Sequence, residues 1–385
     1  MTTSRPGSGR MQASLPSSSY CSAAHWQRER TELLAREWFC IGREEQLPAA
    51  GDHLVVEVAG DSVLVVRSRQ GELKAHFNVC RHRGAALVAP DLDAKWQVES
   101  SGGVAAGGTI RCPYHHWTYS HNGDLLNAPF LGEDDGVCKA ELKLHPVAID
   151  VWAGFIFVCL RPPGEAGTGT LAEQTARAGS RAGLASYPIG ALRIGARLDY
   201  ELDANWKLVL ENYNECYHCG PVHPELCEVV PAFRQDGGNS LTWEEGVPHR
   251  PGAYTFTRSG TTTRAPFATL TPEQAALHKG DLVYPNLMLS ASCDHVAAFV
   301  LWPLGPVRTR LQCLFLFAAE EMARPDFDPT DAVEFWDQVN RQDWSICERV
   351  QRGLQSSVHE RGWYAPMEDA SLDIRRYLQR VLGAF

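Results

Sequence analysis

No apolar run among the 385 residues reaches the roughly 18 needed to cross a bilayer, so no membrane span is expected. Lysine and arginine form no block and the formal net charge is −10. A nucleic-acid partner needs a basic footprint and is therefore not expected, and the balance favours a neutral or cationic substrate. No glycine-rich fingerprint follows a strand-like run: GTGT at 167–170 lacks the spacing and context of a dinucleotide loop. The chain is thus expected to meet NAD(P)H only indirectly. Residues 1–20 contain no acid and no apolar core for a secretory signal. Their Ser, Arg and Pro content is shared by transit peptides and by disordered tails, and a tail is the reading adopted. With no secretion signal, the twelve cysteines read as reduced thiols in a cytoplasmic protein, free to serve metals rather than disulfides.

What is present is ordinary globular composition, 44% hydrophobic and 21% charged, in a length suited to about two domains. HWQRERTELLAREW at 25–38 has the period of a short amphipathic helix. From residue 52 the texture changes to short β-branched runs at 53–60, 61–69 and 151–160, divided by Gly and Asp turns, as in a small antiparallel β domain. SSGGVAAGG at 100–108 reads as a loop inserted in it. The Pro-, Gly- and Ala-rich stretch 161–190 is the best linker. A helical pattern follows at 204–219, then strand-like runs to about 320, then a long helix after Pro329 reaching Leu354. No internal repeat is present. The expected division is a 1–20 tail, an N-terminal helix with a β domain over 21–163, a linker over 164–190, and a second domain over 191–385.

Two short segments carry one thiol and one imidazole each. Cys80 and His82 lie in VCRHRGAAL, Cys112 and His115 in IRCPYHHWTY. Two Cys on one iron and two His on the other is the ligand set of a Rieske [2Fe–2S] cluster, in which imidazoles replace anionic thiolates and raise the reduction potential. The same inventory serves a Cys2His2 zinc site. Zinc fingers, however, usually present two close Cys and then two His, whereas each segment here mixes the types.

A second constellation lies in NWKLVLENYNECYHCGPVHPEL, which begins at Asn205. Glu215 and His218, three apart, share a face if helical. His223 would point away on a continuous helix, and Gly220 and Pro221 are expected to break it and return His223 to the same point. Two imidazoles and a carboxylate with open positions form the facial triad of non-haem Fe(II) oxygenases. A His pair is often merely structural, and Cys216 and Cys219 read as core packing rather than as a redox or zinc motif.

CRHRG, then CPYHHWTY followed by Gly123, resemble the Rieske loops of ring-hydroxylating oxygenases. The succession NWK, EN and E-x-x-H-x-x-x-x-H resembles the catalytic domain of their α subunits. The likeness covers about residues 25–365. One departure is the gap of 29 residues between His82 and Cys112, longer than usual, which the 100–108 loop would explain. The resemblance implies a third iron ligand on a C-terminal helix, where RQDWSICERVQRGL places Asp343, with Asp337 and Glu348 as competitors. It also gives Glu215 a role as an electron-transfer bridge, linking His218 of one subunit to His115 of the next in a homotrimer. Most ring dioxygenases carry Asp at that point. Glu followed by CYHC looks more like the branch acting on quaternary ammonium compounds, such as glycine betaine, carnitine and stachydrine monooxygenases.

The fold so implied is α+β: an all-β Rieske domain and a helix-grip catalytic domain, a curved antiparallel sheet with a long C-terminal helix. The implied activity is reductive use of O2 to hydroxylate an organic small molecule, by N-demethylation on the preferred branch. A separate flavin and iron–sulfur reductase would supply the electrons. An N-methylammonium head calls for an aromatic cage, for which Tyr284, Phe299 and Trp302 are candidates. The rival enzymatic readings are an aromatic-ring dioxygenase and an O-demethylase. A Rieske electron carrier or a zinc protein is the non-catalytic rival, but neither has a use for the second constellation.

Overall fold

The computed structural model describes residues 10–89, 103–105, 107–132, 135, 138–161, 168–181, 184–243 and 245–383. The chain forms two units, one of Leu34–Leu171 and one that joins the residues up to Leu33 to Ala172–Phe385.

Among its described residues the first unit holds two antiparallel sheets. The larger runs in the order Phe39–Arg43, Phe155–Cys159, Pro146–Trp152, Leu73–Phe77, Asp61–Arg67 and His53–Val58. The expected run at 151–160 is thus not one strand. Ala153, in the left-handed region at φ 49°, and Gly154 turn it into a hairpin. The smaller sheet orders Gly103–Ala105, Thr109–Arg111, Thr118–Ser120 and Leu125–Asn127. Leu64, Val66, Leu87, Ile110, Tyr119, Leu125 and Leu144 form a shared core. Part of the expected inserted loop is therefore a strand, since Gly103–Ala105 pairs with Thr109–Arg111. The 90–102 stretch before it lies outside the described residues.

The second unit is built on a six-stranded antiparallel sheet, ordered Arg193–Leu202, Arg308–Phe317, Val296–Gly305, Leu287–Ala291, Leu277–Val283 and Val247–Pro248. The long helix after Pro329 spans Thr330–Leu354, and a further helix, Asp369–Leu382, follows it.

Three expectations about organisation are corrected. The first helix does not head the β domain. It spans Ala23–Glu29 and passes into a π-turn at Arg30–Leu34. Its buried Glu29 accepts bonds from Lys207 Nζ at 2.6 Å and Trp206 Nε1 at 2.9 Å, which tie it to the second unit. Residues 10–20 of the acid-free tail are folded. Gln12–Pro16 pairs with Arg361–Tyr364, and Leu15 and Tyr20 are buried, because an unpaired strand edge and an apolar surface are covered together. The linker contains the helix Leu171–Arg181 and a 3-10 turn at Leu184–Ser186, and residues 162–167 lie outside the described residues.

Candidate active site

In the first unit the four expected cluster ligands sit on two tight loops. Cys80 N–H donates to Ala85 O and Gly84 N–H returns to Cys80 O, with Gly84 at φ 75°. In the partner loop Cys112 N–H donates to Trp117 O and His116 N–H to Cys112 O, with His116 at φ 59°. The thiols of Cys80 and Cys112 are buried, and burial raises the pKa of Cys112. The imidazoles of His82 and His115 are exposed, with ring centroids 4.6 Å apart. Trp117 stacks on His82 at 4.8 Å. The Tyr119 hydroxyl lies 3.2 Å from Cys80 Sγ, within reach to tune a thiolate's potential.

Sulfurs inside and imidazoles outside suit a two-iron cluster, one iron facing each pair. A tetrahedral zinc site would draw all four donors to one point. Among the described residues, the one set of three or more such donors within 4.8 Å of one another is elsewhere, at His218, His223 and Asp343.

That second set is assembled by a broken segment. Asn205 caps the helix Trp206–Tyr213, its side chain accepting from Lys207 N–H at 3.0 Å. The helix then stops. Glu215 and His218 do not share a helix, as their spacing had suggested, but lie in the turn that follows. Glu215 itself organises that turn: Oε2 accepts from the backbone N–H of Tyr217 and of His218, and Oε1 lies 2.6 Å from His218 Nδ1. Gly220 and Pro221 also behave differently from expectation, because both lie inside the short helix Cys219–Val222. The break falls at His223, at φ −123° and ψ 68°. Pro224 disfavours helical backbone in the residue before it, and this turns the imidazole back.

Asp343 comes from the long helix. Its Oδ1 lies 2.8 Å from His223 Nε2 and 3.2 Å from His218 Nε2. Donors held about 2.1 Å from a common ion at right angles stand about 3 Å apart, so the separations suit one metal ion with other positions open. The far nitrogens are held as metal-ligating imidazoles usually are. Glu215 holds Nδ1 of His218, and Gln342 Oε1 lies 2.7 Å from Nδ1 of His223. Gln342 was not anticipated, although it directly precedes Asp343 in the sequence. Burial opposes charge on His218, but its bonds to Asp343 and Glu215 outweigh this and raise its pKa to about 11. Burial likewise opposes charge on Asp343, and bonds from His218 and His223 bring its pKa down to about 2. A cation seated here would take the place of the imidazole protons. The competing acids are engaged elsewhere: Asp337 accepts from the Tyr200 hydroxyl at 2.8 Å, and Glu348 from Asp203 N–H at 3.1 Å.

The three donors open onto a cavity of about 180 Å³. Of the three aromatic candidates only Phe299 lines it. Tyr284 stacks on Tyr377 at 4.2 Å, and Trp302 packs under Arg310. Tyr213, Phe233, Trp243, Phe256, Trp336 and Trp344 line it too, and sequence reasoning missed all six. Three carried a signal: Tyr213 and Trp344 stand inside the segments that carry His218 and Asp343, and Trp336 lies seven residues before Asp343, on nearly the same face of its helix. Cys216 and Cys219 are buried as expected, but also border this cavity.

Comparison with known proteins agrees with this arrangement. Residues 37–146 match the Rieske [2Fe-2S] domain and residues 189–384 the ring hydroxylating alpha subunit (catalytic domain). The chain is a Rieske oxygenase. It is 30% identical to the glycine betaine monooxygenase oxygenase subunit of Chromohalobacter salexigens, over 91% of this chain and 82% of that one. It is 26% identical to the carnitine monooxygenase oxygenase subunit of Acinetobacter pittii, over 88% and 84%. Its fold is that of the quaternary ammonium Rieske monooxygenase CntA, with a TM-score of 0.72, 22% identity and 96% of each chain covered. Naphthalene 1,2-dioxygenase from Rhodococcus sp. shares the fold at 0.67 and 19%, over 96% of this oxygenase and 94% of the other chain. The oxygenase thus combines a [2Fe–2S] domain with a catalytic domain of the mononuclear-iron type. No helix among its described residues is long and apolar enough to cross a membrane.

Proposed function

We propose that the oxygenase N-demethylates a quaternary ammonium compound, the broad class to which glycine betaine and carnitine belong, with electrons from a separate flavin and iron–sulfur reductase. The observation that carries this is the aromatic wall beside the three metal donors. An N-methylammonium group offers no hydrogen to bond, and aromatic faces hold it by cation–π attraction worth about 2 kcal/mol each when desolvated. Cys80, Cys112, His82 and His115 would hold the [2Fe–2S] cluster, and His218, His223 and Asp343 the iron. Once bound, these centres supply single electrons and the activation of dioxygen, chemistry that belongs to the metals.

The chain's own residues do the rest. Glu215 and Gln342 fix the two imidazole rings with Nε2 toward the metal position. Phe299 and Trp336, with centroids 5.8 Å apart, wall the cavity with apolar rings and keep water from the reacting methyl. Hydroxylation of that methyl gives a hemiaminal-type N-hydroxymethyl ammonium, which loses its hydroxyl proton to solvent as the C–N bond breaks, leaving formaldehyde and the demethylated amine. Glu215 would also accept a bond from His115 of a neighbouring subunit in a homotrimer, a reading supported by its 2.6 Å contact with His218 Nδ1 in the cavity lining.

The test is turnover with a surrogate reductase on a panel of quaternary ammonium compounds and aromatics, following formaldehyde and O2 uptake. Formaldehyde from the ammonium compounds is expected. A cis-diol from an aromatic, with no formaldehyde from any ammonium compound, would transfer the chain to the ring dioxygenases.

A further inference from the structure

We infer that the substrate is a net cation, an N-methylated ammonium whose other end is polar but uncharged, rather than a zwitterion. This rests on the quaternary ammonium reading above and narrows it.

The charge of the cavity carries the argument. Among its described lining residues there is no lysine and no arginine. Glu215 and Asp343 present carboxylates beside the metal position. The nearest lysine on the sheet is turned away. Gly280 pairs with Ser290 and Leu282 with Met288 on the cavity face, so alternation sends the Lys279 side chain to the opposite face, and the charged residue of this strand that borders the cavity is the acid Asp281. The lysine side chain runs there beside Gly246, where an added Cβ would stand 3.0 Å from Lys279 Cε. Gly280 keeps the cavity face open, since a Cβ on it would meet the Tyr213 hydroxyl at 3.2 Å and the Trp243 ring at 3.6 Å.

The polar groups packed against the aromatic wall are neutral. The Phe256 ring lies 5.3 Å from that of Trp336 and 4.3 Å from that of His278. His278 Nε2 is 3.4 Å from Ser290 Oγ, and both residues are buried. Burial, joined by the neighbouring His249 and His295, drives the His278 pKa well below its ordinary value, so the ring is uncharged at neutral pH. An imidazole and a hydroxyl can bond to an alcohol or carbonyl. They offer no countercharge to a carboxylate, and burying one unpaired is costly. Among the described lining residues none offers a cation to a zwitterion's carboxylate, and binding it at the metal instead would place the wrong end of the substrate at the reacting centre.

The experiment uses the full chain loaded with both metals and compares pairs matched in size: choline with glycine betaine, and carnitine methyl ester with carnitine. The net cation of each pair should show at least tenfold higher kcat/KM, and tighter binding by quenching of tryptophan fluorescence. Equal or better turnover of the zwitterion in either pair overturns the inference while leaving the quaternary ammonium reading intact. Absence of turnover and binding for all four compounds removes that reading, and this inference with it. His278→Phe should lower the choline to ethyltrimethylammonium ratio of kcat/KM at least fivefold, a ratio that general damage to the fold would not move. An unchanged ratio overturns the assignment of His278 as the polar anchor.

Discussion

Glu215 Oε1 lies 2.6 Å from His218 Nδ1, while Nε2 of the same ring points at Asp343 Oδ1 3.2 Å away. One carboxylate therefore holds the imidazole from behind and another meets it in front, and the rear one also shapes the backbone turn. Glu215→Gln keeps length and much of the bonding but removes the charge. This variant is expected to keep the wild-type assembly state and retain both metals, yet turn over at a small fraction of the wild-type rate. Its cluster should be reduced normally and then reoxidise slowly when substrate and O2 are added. Near-wild-type turnover, or a wild-type protein active as a monomer by light scattering, would eliminate the cross-subunit bridge.

The cluster loops make a separate prediction. Replacing His82 or His115 by Cys restores an anionic thiolate. It should abolish the Rieske electron paramagnetic resonance signal, or lower its midpoint potential toward the roughly −400 mV of all-Cys clusters. An unchanged signal and potential in both variants would refute the ligand assignment.

Asp343→Ala should lose the mononuclear iron and all turnover while the Rieske spectrum persists. Asp337→Ala and Glu348→Ala should keep the iron, because their partners are Tyr200 and the backbone of Asp203. Iron analysis of the three variants decides the matter, and loss in Glu348→Ala alone would show that the wrong acid has been assigned.

Glu29 and Lys207 form an ion pair with side chains 2% and 0% exposed. Removing one partner strands a buried charge, so Glu29→Ala should destabilise the second unit by about 3–5 kcal/mol in denaturant unfolding. A cost below about 1 kcal/mol would mean that the first helix is dispensable.

Glu211 gives a pH signature. Burial raises its pKa to about 7 against bonds from Tyr20 and Tyr364 that act to lower it. A raised acid contributes stability that is complete below its unfolded pKa near 4.5 and is lost as pH climbs through about 7. At about 1.36 kcal/mol per pH unit, that window is worth on the order of 3 kcal/mol. Stability should therefore fall from pH 4.5 to 7 more steeply in the wild type than in Glu211→Gln. Parallel curves would show that the carboxyl is charged throughout.

The two ligand sets were legible in the amino-acid order because each is local. Cys80 with His82, Cys112 with His115, and His218 with His223 lie within five residues of one another, where spacing and residue type already restrict the chemistry. The alternation of β-branched runs and the long period after Pro329 identified the two classes of domain for the same reason. What the order did not contain were relations between distant segments. His223 turns inward because Pro224 follows it, but that it meets Asp343, 120 residues on, depends on where the long helix packs. The cavity wall draws Phe233, Phe256, Phe299 and Trp336 from a turn, a loop, a strand and a helix, and no period links them. Tyr284 and Trp302 looked equally suitable in sequence, and packing alone turned them to other partners. The first helix was assigned to the wrong domain because continuity along the chain is a poor guide to burial. Glu29 could not stay buried without the charge of Lys207, and that residue lies 178 positions away.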